Sequence, residues 1–86
     1  MQLVTTLGPM RVRFQYAKQR NDIAASCDVV VPEKIATTGV VVLDVNTPRY
    51  VRRRAAFARV LTLLGLDKAQ RKDMWEEYFR VREGRL

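Results

Sequence analysis

Apolar and polar residues alternate along the first half of this chain, and apolar residues recur at helical spacing along the second. In residues 11–17, Val12, Phe14 and Tyr16 fall on one face of an extended segment, with Arg11, Arg13 and Gln15 on the other. Gly8-Pro9 breaks the chain just before this strand, and residues 3–7 read equally well as a short partner strand or a loose arm. Residues 18–22 form a polar turn. A second strand is expected over 23–31, stopped by Pro32, which cannot donate to a ladder. A third is expected over 39–45, where Val41, Leu43 and Val45 alternate against Val40, Val42 and Asp44 in a β-branched run. Residues 32–38 between them read as a loop or a single turn. Connections this short favour an antiparallel meander.

The period changes to 3.6 near Thr47. Thr47 suits the N-cap and Pro48 the first helical position, so a helix is expected over about 48–64, ended by Gly65 in a left-handed conformation. Asp67 and Gln70 form a capping-box pattern that opens a second helix over about 68–83, stopping at Gly84. Three residues between the helices imply a tight hairpin. On the first helix Tyr50, Phe57, Leu61 and Leu64 cluster, widened by Val51 and Ala58. On the second, Met74, Trp75, Tyr78 and Val81 make the apolar stripe, with Phe79 at its edge. Asp73, Glu76, Glu77, Arg80 and Glu83 lie opposite as a solvated face, with Lys72–Glu76 and Glu76–Arg80 at i,i+4.

The expected fold is therefore α+β. A small antiparallel sheet of three to four strands carries a C-terminal two-helix hairpin packed on one face. It forms a single domain over 1–86, with the meander in 1–46 and the hairpin in 47–86. Val12, Phe14, Tyr16, Val41, Leu43, Phe57, Leu61, Leu64, Trp75 and Tyr78 should supply most of the core.

Charge sharpens the picture. The net charge is +7, but residues 1–48 carry five Lys/Arg against four acids, and residues 49–86 carry eleven against five. Five arginines stand among the first twelve residues of segment 48–64, and no acid occurs between Asp44 and Asp67. Arg49, Arg52, Arg53 and Arg59 share the polar arc of the first helix. Arg54 falls near the apolar stripe, where it must snorkel or reach a partner. A helix held only for stability mixes its signs at i,i+3 and i,i+4, so this unmixed face points to an acidic partner.

Several chemistries are left without residues. Histidine is absent, which removes histidine acid–base catalysis and His-activated nucleophiles. Cys27 is the single cysteine, expected as a packing residue in its strand. Asp28, Glu33 and Asp44 are scattered without metal-ligand spacing, and no glycine-rich phosphate loop occurs. A non-enzymatic protein without cofactor or metal is expected. The longest apolar run is Val40–Leu43, far short of the ~20 residues of a membrane span. The first residues lack the basic start of a secretion signal, so a cytoplasmic protein is expected.

The segment from Phe57 to Met74 resembles a helix-turn-helix in its turn glycine and in the apolar residues Val60, Leu64, Leu66 and Met74. It departs at Arg71, where that family buries an apolar residue, and its second helix is acidic. A strand at 41–46 followed by two helices also resembles a ribbon-helix-helix unit. Its outward positions Val40, Val42, Asp44 and Asn46 suit base edges poorly.

Two functional readings remain. The first is a small nucleic-acid-binding or regulatory protein that contacts DNA or RNA phosphates through Arg49, Arg52, Arg53 and Arg59, supplemented by Arg11 and Arg13. The second is a small adaptor or inhibitor, of the kind phages and other mobile elements encode, docking the same arginines on an acidic protein surface. A homodimer is compatible with either.

Overall fold

The computed structural model describes residues 1–32 and 35–82, the side chain of Arg82 excepted. Its order is β1 (Gln2–Thr5), β2 (Gly8–Gln19), β3 (Asp22–Val31), β4 (Ile35–Asp44), α1 (Arg49–Leu64) and α2 (Lys68–Arg82). The strands form one antiparallel sheet in the order β1-β2-β3-β4, a meander in which each strand pairs with its chain neighbour. The α+β architecture expected from the period switch is the architecture observed.

Residues 2–5 are a strand, not an arm. Leu3 is fully buried opposite Met10, and Met1 exchanges main-chain bonds with Val12 at 2.6 and 2.7 Å. The reading of 32–38 as a loop is corrected over 35–38, which pair in register with 28–31. Ala36, Thr37 and Thr38 carry no break signal, and the Thr38 hydroxyl donates to Asp28 Oδ1 across the strands at 2.7 Å. Glu33, Lys34 and the expected stop at Gly84 lie outside the described residues.

The helices cover one face of the sheet, with α1 over β3 and β4 and α2 against β1. Strict alternation decides which face. Ile23, Ala25, Cys27, Val29 and Val31 of β3 are buried while the intervening residues are half-exposed. Gly39 of β4 lets α1 approach closely, since a β-carbon there would lie 2.8 Å from the Val60 backbone nitrogen and 3.1 Å from the Ala56 carbonyl oxygen. That approach sets the rotation of α1. Its buried residues are Ala56, Phe57, Val60 and Leu61, a stripe turned by roughly 40°, at ~100° per residue, from the one expected around Tyr50 and Leu64. Tyr50 is consequently 49% exposed.

Between the helices the core is aromatic. Phe57 stacks on Tyr78 at 4.8 Å and meets Trp75 edge-on at 5.1 Å, while Phe14 of β2 reaches Tyr78 at 6.4 Å. Such pairs add about 0.5–1.5 kcal/mol each beyond the area they bury. Tyr16, expected in the core, is 36% exposed. It lies towards the end of β2, past the part that the buried face of the hairpin covers.

The helix ends follow local chemistry. Gly65 takes φ 67°, and its N–H donates to the Thr62 carbonyl. Asp67 and Gln70 form the expected capping box, with Gln70 N donating to Asp67 Oδ1 at 2.8 Å and Asp67 N to Gln70 Oε1 at 3.2 Å. Thr47 is not a cap. Pro48 holds that position in an extended conformation with ψ 147°, and no side chain bonds the free amides. Thr47 instead sends its N–H to the Asp44 carbonyl and offers its own carbonyl to Arg52 Nε.

Candidate functional site

The first turn of α1 brings Arg49 and Arg52 to a helix end that already carries the positive pole of the helix dipole, and Arg59 follows about 15 Å further along the helix. No acidic residue stands in that turn and no side chain caps it. Arg49 and Arg59 are exposed and Arg52 is half-exposed. Among the described residues none of the three meets a carboxylate, although ion pairs form elsewhere, at Arg13–Asp28, Lys72–Glu76 and Arg80–Glu77. Arg52 is aimed by its Nε bond to the Thr47 carbonyl at 3.1 Å.

Arg53 departs from the expected arc. The rotation of α1 places it on the sheet-facing side, half-buried, and its Nε is shielded without a hydrogen-bond partner among the described residues. A half-buried guanidinium with an unpartnered Nε gains from any anion that reaches it. Arg54 does snorkel. Its guanidinium lies 5.0 Å from the ring centres of both Tyr50 on α1 and Phe79 on α2.

Tyr16 joins the cluster, which sequence reasoning missed by assigning it to the core. The guanidinium carbons of Arg49 and Arg52 lie 5.8 and 5.9 Å from its ring centre. The alternation of β2 puts Lys18 on the same side as Tyr16, and Lys18 is exposed. The β2–β3 turn is tied to the start of α1, since Val45 N donates to the Asn21 carbonyl at 2.8 Å. Lys18 and Arg20, read from sequence as a plain polar turn, therefore stand at the same end of the molecule as Arg49 and Arg52. The acids at that end, Asp22 and Asp44, are paired in register and project from the opposite sheet face. Asp44 Oδ1 is engaged by Asn46 N.

Arg11 and Arg13 are not brought to the helix arginines. They alternate with buried Met10 and Val12 and so project from the open face of the sheet, away from α1. There they border an open concavity with Gln2, Asp28, Val30 and Thr38. Arg13 pairs with Asp28 at 3.6 Å, and the Gln15 amide, turned to face it, accepts a further bond at 2.9 Å.

The acidic face of α2 is more than solvated surface. Asp73 Oδ2 accepts the Thr6 N–H at 2.9 Å, fastening α2 to the turn after β1. The Glu77 carboxyl is held below its ordinary range by hydrogen bonding to Arg80, at 2.9 and 3.2 Å, with the Val4 amide contributing less. Arg80 thus pairs with Glu77 at i,i+3 in place of the expected i,i+4 partner Glu76, which takes Lys72 at 4.0 Å.

Cys27 is fully buried beside Gly39, and burial, reinforced by the charge of Asp28, pushes its thiol up to about 12. A thiol so rarely ionised is a poor nucleophile. Among the described residues no group of three Cys, Asp or Glu side chains converges as a metal site, and no helix is long and apolar enough to cross a membrane. Comparisons with protein-family models, with curated proteins and with solved structures returned no match to this chain.

Proposed function

We propose that this protein binds nucleic acid through its phosphates, using Arg49, Arg52, Arg53 and Arg59 on α1. The observation that carries this reading is an uncapped helix start free of acidic residues, where Arg49 and Arg52, with Arg59 further along α1, meet no carboxylate among the described residues. Like charges held this close to one another, and to the positive end of a helix, destabilise the folded protein slightly. A polyanion relieves that repulsion and supplies the missing acceptors. Contacts of this kind position a protein on a backbone without reading sequence.

Fluorescence anisotropy with labelled oligonucleotides of unrelated sequence tests the reading. Binding that weakens with salt, and that weakens further on replacing Arg52 and Arg59 by alanine, is expected. If no oligonucleotide binds, the arginines belong to the alternative role, docking on an acidic protein surface, or to solvated surface alone.

A further inference from the structure

Resting on that reading, we infer that the preferred ligand is a single strand, whose bases stack on Tyr16 and Tyr50. These two rings are 36% and 49% exposed, and each lies under an arginine: Arg49 and Arg52 over Tyr16, Arg54 over Tyr50. Phe57 and Tyr78 of the hairpin seam are fully buried and Phe14, Trp75 and Phe79 partly so, which makes Tyr16 and Tyr50 the most exposed aromatic rings among the described residues.

The combination is selective in physical terms. Guanidinium planes and phenol rings together make flat π surfaces, and every unpaired base has a face to lay on them. A duplex keeps those faces inside its own stack and offers an aromatic ring only its edges and backbone. The arginines would hold the phosphates in either case, but Tyr16 and Tyr50 add affinity only where bases are free. A guanidinium laid on a ring still presents nitrogens at its edge, so Arg49 and Arg52 can border a base and also bond a phosphate.

The test compares labelled oligo-dT, oligo-U and a random-sequence duplex of matched length at one salt concentration. The inference predicts that at least one single strand binds on the order of tenfold more tightly than the duplex. Tyr16→Leu should weaken single-strand binding by roughly tenfold, the scale of one lost stack, and leave duplex binding unchanged. Tyr16→Phe keeps the ring and should keep the affinity. Tyr50→Leu gives a second variant at a more exposed site, with circular dichroism confirming that each protein is folded. Oligo-dU against oligo-U, which share a base and differ only at the 2′ position, identifies the sugar. Equal or tighter duplex binding overturns the inference while leaving phosphate binding standing, as does single-strand binding indifferent to both leucine variants. Absence of binding to all of these ligands overturns both.

Discussion

A β-carbon placed on Gly39 would stand 2.8 Å from the backbone nitrogen of Val60, so the α1–β4 contact is built around the absence of a side chain at that position. Two of the three obstructing atoms are helix backbone, which cannot swing aside, and the third is a Val60 methyl at 2.9 Å. Gly39→Ala should therefore destabilise the protein by about 1–3 kcal/mol, the usual cost of overpacking a core. Urea denaturation followed by circular dichroism measures it. A variant as stable as the parent would show that α1 does not sit this close to β4.

That contact also explains what could and could not be read from the chain. Alternation in 11–17 and 23–31, the capping box at Asp67 and Gln70, and the turn at Gly65 are local signals, and each appears in the fold where the sequence places it. The rotation of α1 is not local. It follows from Ala56 and Val60 settling over Gly39, a pairing between distant residues. The same rotation turns Tyr50 outward and Arg53 inward, against the order that hydrophobicity alone suggests. Tyr16 was misplaced because alternation specifies a face of the sheet but not how far the helices extend over it. Lys18 and Arg20 stand at the basic end through pairing between distant residues, Asp22 with Asp44 and the Asn21 carbonyl with Val45 N.

The two helix starts should respond differently to mutation. Asp67→Ala removes an observed cap and should cost about 1 kcal/mol. Thr47→Ala removes a side chain that caps nothing, and its effect should stay within about 0.5 kcal/mol. Thermal unfolding of the two variants compares them. A larger loss at Thr47 would mean that the start of α1 is held in some other way.

Cys27 should be unreactive in the native state. Its thiol sits at about 12 against an ordinary value of 9.0, so at neutral pH it is protonated in both folded and unfolded chains. As pH rises past the ordinary value, the unfolded chain loses this proton first. Stability contributed by the buried neutral thiol is therefore complete below about 9 and declines as pH climbs towards about 12. Thiol labelling at neutral pH should be slow until denaturant is added. Cys27→Ala should cost on the order of 1 kcal/mol and leave ligand binding unchanged. Rapid labelling of the folded protein would contradict the packing role.

The salt dependence of nucleic-acid affinity tests the central claim most directly. Four arginine–phosphate contacts predict that log affinity falls against log salt with a slope of about −2.8 on a single strand or −3.6 on a duplex. Replacing Arg52 and Arg59 together by alanine should weaken binding alike on unrelated sequences and make the slope shallower by roughly two contacts, while folding stability falls by about 1 kcal/mol for the lost Arg52–Thr47 bond. A slope near zero, or one that the double variant leaves unaltered, would contradict phosphate binding by the arginines of α1.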